Sequence, residues 1–146
     1  MVYSIKGLKE FNGMEDRGYN LTLYYDGRKV ATAVYGGDGG MVMLDFIDKK
    51  DEQIFEDFLK TLPPVKSEYF PEGLEMTYDI YLDDLIQAHL ETAQLKRWCK
   101  TKIIALKAGA EEGVYVTYGC SYTPEAAARI RVKHPEIIEI VNERFL

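Results

Sequence analysis

The stretch from Tyr19 to Tyr35 reads YNLTLYYDGRKVATAVY, two runs of strand-favouring residues on either side of Asp26-Gly27. That pair predicts a two-residue type I′ turn, which needs positive φ at both central positions, and Asp and Gly accept it. A turn so placed sets Leu23 opposite Val30, Leu21 opposite Thr32 and Tyr19 opposite Val34. Strand side chains alternate, so these six share one apolar face. Asn20, Thr22, Tyr24, Lys29, Ala31 and Ala33 share the other, which is wetter and carries smaller side chains. One face for a core and one for water is the pattern of a half-covered hairpin.

Working outward, VYSIKGLKEF supplies a first strand and NGMEDRG a loop. On the other side, YGGDGGMVMLDF (Tyr35–Phe46) joins the hairpin to a short apolar strand. A phosphate-binding loop would run into a helix and carry a lysine and a hydroxyl after its glycines. Neither follows here, and Asp38 at the centre of the loop would repel an anion. The glycines therefore predict a turn between strands.

A helix follows, capped by Asp48 or Asp51, with Ile54, Phe55, Phe58, Leu59 and Leu62 as its apolar stripe and Pro63-Pro64 as its stop. The loop 63–74 joins two halves of a single domain spanning 1–146. A longer helix runs from about Asp79 to Lys100. Leu82, Leu85, Ile86, His89, Leu90, Ala93 and Trp98 mark its buried side, with acids at its start and bases at its end, as the helix dipole favours. KIIALKA and GVYVTYG form a second hairpin that completes or extends the sheet. Thr123, Pro124 and Glu125 open another helix, and PEIIEIVNERFL reads as a last one on the helical spacing of Ile137, Ile138, Val141 and Phe145, although Ile138 and Ile140 also fit a strand. The expected fold is α+β: an antiparallel meander, helices on one face, and a C-terminal hairpin.

The 146 residues suit one globular domain, at 47% hydrophobic and 29% charged. No apolar run is long enough for a membrane helix, and MVYSIKGLKEF lacks the apolar core of a secretory signal, so a cytoplasmic protein is expected. Cys99 and Cys120 form no CxxC, and with His89 and His134 they match no zinc-ligand spacing. No serine, cysteine or histidine stands in a nucleophile motif. No catalytic residue, metal or cofactor is expected.

Charge is distributed unevenly. Between Lys96 and His134 eight basic residues face three acids, a local +5, so the rest of the chain carries −11 of the total −6. Tyrosine is abundant, eleven against six Phe and one Trp, and suits both half-buried strands and binding surfaces.

GYNLTLYYDGRKVATAV with its glycine-rich continuation, and YTPEAAARIRVKHPEIIEIVNERF, resemble small proteins carried by phages and other mobile elements of Gram-positive bacteria. The resemblance covers under half of the chain. It implies a setting in which compact accessory proteins, anti-CRISPR proteins among them, bind and block a host defence protein or a defence signalling molecule. The leading expectation is therefore stoichiometric inhibition of a bacterial defence protein such as a CRISPR nuclease. An acidic surface of Asp16, Asp38, Asp45, Asp48, Glu68 and Glu72 would occupy a basic nucleic-acid channel, with Tyr24, Tyr69 and Phe70 as anchors. The alternative is a nucleic-acid or signalling-nucleotide binder. Arg97, Lys100, Lys102, Arg129, Arg131 and Lys133 would meet phosphates, and Trp98 or Tyr122 would stack on a base.

Overall fold

A computed structural model describes residues 3–146. Four strands, β1 (Tyr3–Asn12), β2 (Arg17–Tyr25), β3 (Arg28–Tyr35) and β4 (Met43–Phe46), pair antiparallel in chain order, as the meander requires. Helices α1 (Lys49–Lys60) and α2 (Tyr78–Trp98) follow. Then come β5 (Ile103–Lys107), β6 (Val116–Tyr118), α3 (Pro124–Lys133), β7 (Ile137–Ile140) and a 3-10 helix over Val141–Phe145. The class is α+β. The chain divides into two compact units, Met1–His89 and Leu90–Leu146. The division falls inside α2, where residues 87–93 are all exposed, and the loop 63–74 lies within the first unit.

Asp26 (φ 47°) and Gly27 (φ 82°) both take positive φ, as a type I′ turn demands. Beside the turn, Tyr25 pairs with Arg28 and Tyr24 with Lys29. A bulge then shifts the ladder by one residue, so that Leu23 meets Ala31, Leu21 meets Ala33 and Tyr19 meets Tyr35. The expected pairs with Val30, Thr32 and Val34 are thus displaced. Because side-chain alternation restarts after a bulge, Val30, Ala31 and Ala33 are all buried while Thr32 and Val34 are exposed. Ala31 and Ala33 share a core with Leu21, Leu23 and the helix residues Phe55, Leu59, Tyr81, Leu82 and Ile86. Their small side chains leave room for helices on that face.

Asp48 caps α1 by accepting from the Lys50 N–H at 2.9 Å. Phe55 and Leu59, one turn apart, are buried. Phe58 and Leu62 pack partly against the same core. Ile54, expected in this stripe, is exposed, because the covered face is narrower than the apolar one. Asp51 holds the first turn of α1 against the β2–β3 hairpin by accepting from both Nη atoms of Arg28, at 2.9 and 3.0 Å. This hydrogen-bonded guanidinium holds the Asp51 carboxyl below its ordinary range.

Along α2, Tyr81, Leu82 and Ile86 are buried in the first unit and Leu95 in the second. His89, Leu90, Ala93 and Trp98 were expected on one continuous buried side, and they are exposed. The helix serves two separate apolar clusters, so its middle turns have nothing to cover.

In the second unit the strand order is β6-β5-β7, a sheet of its own rather than an extension of the first. The expected β5–β6 hairpin is present, with Ile103 opposite Tyr118. Central β5 is covered on both faces. Ile103 packs with Ala126, Ala127 and Ile140, and Ile104 packs with Leu95 and Val141. Thr123 caps α3 by accepting from the Ala126 N–H at 3.0 Å, with Pro124 in the first turn. The last segment corrects the helix expectation. Ile137–Ile140 is a strand whose Ile140 lies opposite Ala105, since β-branched residues favour a pleated surface beside β5. Asn142 is 4% exposed. Its Oδ1 accepts from the Ile104 N–H at 2.9 Å, and its Nδ2 donates to the carbonyls of Lys102 at 2.8 Å and Cys99 at 3.3 Å.

Candidate interaction surfaces

Two loops meet at one end of the first sheet. The N–H groups of Glu15 and Asp16 both donate to the Gly37 carbonyl at 2.9 Å. The approach is close: a Cβ on Gly37 would lie 2.5 Å from the Asp16 carbonyl oxygen, and one on Gly13 would lie 2.4 Å from the Gly37 oxygen. Gly37 also has φ 71°. Only glycine fits such backbone contact. The Tyr35 hydroxyl joins the loops again, donating to Asp16 Oδ2 at 3.3 Å and accepting from the Gly39 N–H at 3.2 Å. The GGDGG segment is therefore the turn between β3 and β4, packed on the β1–β2 loop.

This packing brings Asp16 and Asp38 to one tyrosine. Burial raises the Tyr35 pKa, and both carboxylates add to the rise. The start of α2 contributes to the same field. Tyr19 is 6% exposed and its hydroxyl finds no partner among the described residues. Burial pushes its pKa up to about 12, and Asp83 and Asp79 push it in the same direction. Asp83 itself is held above its ordinary value by partial desolvation, then by Asp79, Asp84 and Asp16. Among the described residues none of Asp16, Asp38, Asp79, Asp83 or Asp84 enters an ion pair. The first unit holds nine basic and seventeen acidic residues, a net −8.

The remaining acidic candidates are exposed but placed apart. Asp45 lies opposite Thr32 on β4, and Asp48 is committed to capping α1. Glu68 and Glu72 flank Tyr69 and Phe70 in the 63–74 loop, which closes as a small hairpin. Val65 and Leu74 exchange two backbone hydrogen bonds of 2.7 Å, and Ser67 and Phe70 close its turn. Tyr69 is 86% exposed and Phe70 49% at its tip. Tyr24 is half-buried on the outer face of the first sheet, beneath Lys6 Nζ at 4.8 Å from its ring centre. Sequence reasoning missed Asp79 and Asp83, read only as helix-dipole charges. Their i, i+4 spacing, which stacks them on one face of α2, was the available signal.

In the second unit, Glu143 accepts from both Arg131 and Tyr122. These donors hold its pKa down. One phosphate-contact candidate, Arg131, and one stacking candidate, Tyr122, are thus engaged internally. Arg97, Trp98, Lys100, Lys102, Arg129 and Lys133 are exposed. Counting the acids of β7 and the C-terminus, this unit has nine basic and seven acidic residues, only +2.

Among the described residues no group of three or more His, Cys, Asp or Glu is arranged to hold a metal ion. Cys99 and Cys120 are both free. No helix is long and apolar enough to cross a membrane. No protein-family model, curated protein or solved structure matches the chain.

Proposed function

We propose that this is a non-catalytic binding protein whose acidic first unit occupies a basic surface of a macromolecular partner. The supporting observation is the convergence of Asp16, Asp38, Asp79 and Asp83 around Tyr19 and Tyr35, with no ion pair to any of the four among the described residues. Desolvation, then the neighbouring carboxylates of Asp79, Asp84 and Asp16, hold the Asp83 pKa up, and that repulsion is a cost to the isolated fold. A partner's lysines and arginines relieve that cost on binding. Tyr69 and Phe70, held on a closed hairpin, supply apolar anchors at little loss of conformational freedom.

In its most concrete form the partner is a bacterial defence protein such as a CRISPR nuclease, with its nucleic-acid channel blocked by the acidic unit in a cytoplasmic, one-to-one complex. This form takes its setting from the resemblance to mobile-element proteins. The test is affinity capture of the tagged protein from bacterial lysate, with and without nuclease treatment. One stoichiometric protein that survives nuclease agrees with the proposal. Partners that vanish with nuclease contradict it and move the function to nucleic acid and the exposed bases of the second unit.

A further inference from the structure

The two edges of the first sheet differ. β1 is interrupted by an irregularity between Lys6 and Lys9, and a bulge and lysines both discourage pairing at an edge. β4 pairs with β3 without interruption, from Ala31–Phe46 to Val34–Met43. The Ile47 N–H donates to the Val30 carbonyl at 3.0 Å. In an antiparallel ladder, hydrogen-bonded pairs alternate with non-bonded ones. Asp45 and Met43 therefore bond toward β3, while the N–H and C=O groups of Leu44 and Phe46 point outward. The Val42 carbonyl, in the same phase two residues before Leu44, accepts from the Tyr78 hydroxyl at 3.0 Å.

A groove of about 540 Å³ lies beside that edge. Consecutive β4 residues, Met43 to Phe46, line it from both faces, so its wall is the strand's edge and not one of its faces. Its other wall is α1, with Phe55 and Leu59 at depth and Glu52 and Glu56 at the rim. Asp45, Glu52 and Glu56 are its charged lining, and no basic residue lines it among the described residues.

We propose that the β4–α1 groove accepts an extended basic segment of a protein partner as an added antiparallel or parallel strand. Leu44 and Phe46 supply the backbone bonds. Lysine or arginine side chains on the helix side lay their methylene stems over Phe55 and Leu59 and reach Glu52 and Glu56. Apolar residues on the other face of the segment lie beside Met43, which is exposed. This deepens the acidic-partner proposal and rests on it, by giving the chemistry and conformation of what is bound.

The probe is a blocked ten-residue peptide alternating lysine and valine, titrated against the full chain by fluorescence anisotropy and by amide hydrogen exchange. The expected result is saturable binding that slows exchange at Leu44 and Phe46. Reversing the two rim acids (Glu52→Lys with Glu56→Lys) weakens it about tenfold or more. N-methylating one alternate set of peptide amides abolishes binding, whereas methylating the other set changes it by less than about threefold, because only alternate residues face β4. Equal tolerance of both methylated sets, unchanged exchange at Leu44 and Phe46, or no binding at millimolar peptide overturns the inference. A natural partner captured equally well by the unmodified chain and by the rim variant overturns strand addition and leaves the acidic-partner proposal standing. Absence of any captured partner counts against the acidic-partner proposal and the strand addition that rests on it.

Discussion

Tyr35 and Asp16, nineteen positions apart, are joined by a 3.3 Å hydrogen bond from hydroxyl to carboxylate. That bond closes the β1–β2 and β3–β4 loops into one acidic structure. The loops depend on Gly37 as much as on the bond. Gly37→Ala would place a methyl 2.5 Å from the Asp16 carbonyl oxygen at a positive φ. The expected loss is about 2–4 kcal/mol in urea denaturation. Gly109→Ala, also at positive φ but with open space around it, should cost only about 1 kcal/mol.

The Tyr19 hydroxyl is buried without a partner among the described residues. An unsatisfied buried hydroxyl carries a desolvation cost with no return. Tyr19→Phe is therefore expected to leave stability unchanged or raise it by up to about 1 kcal/mol. A loss above that in the same denaturation assay would mean that the hydroxyl has a partner.

Asn142 should behave in the opposite way. It satisfies the Ile104 N–H and two carbonyls within the second unit. Asn142→Ala leaves the buried Ile104 N–H and two partly buried carbonyls without this partner, for an expected loss of about 2–3 kcal/mol. Hydrogen exchange at the Ile104 amide should quicken more than at neighbouring β5 amides.

Two groups of carboxylates give opposite pH dependence. Asp51, Glu139 and Glu143 have pKa values lowered by arginine hydrogen bonds. In the folded state they bind fewer protons than in the unfolded chain. Their stabilisation is present above the ordinary carboxylate values and is lost as pH falls through the lowered ones. Asp83 is raised, so it binds more protons when folded and costs stability above its raised pKa. Its side chain remains open to solvent, which keeps this effect small. Thermal denaturation across pH should show Asp83→Asn slightly more stable than the unmodified protein at pH 7, with the gap closing below the ordinary value of 3.8. Arg131→Ala should be less stable at pH 7 and lose less on acidification.

Local rules carried the sequence reading wherever the cause is local. The Asp26-Gly27 turn, the Asp48 cap and the Thr123-Pro124 helix start each depend on a few adjacent residues, and all three stand in the structure. The bulge beside Val30 was not legible, because it leaves the turn chemistry intact and changes only which residues the helices cover. Ile137–Ile140 fits either spacing in isolation, and the neighbouring β5 decides it. Of the acidic candidates, Asp16 and Asp38 do come together. Asp79 and Asp83 join them only because α2 returns to the same sheet, a relation across more than forty residues from Asp38 that no window of sequence contains.

The acidic end of the first unit is proposed to bind a basic partner. The most direct measurement is the affinity of the captured partner for two forms of the protein over a salt titration. One form is unmodified and the other carries Asp16→Lys, Asp38→Lys, Asp79→Lys and Asp83→Lys. The affinity of the unmodified form is expected to fall with rising salt, and the reversed-charge form to bind at least about a hundredfold more weakly with little salt dependence. Equal affinity of the two folded forms at every salt concentration would contradict it.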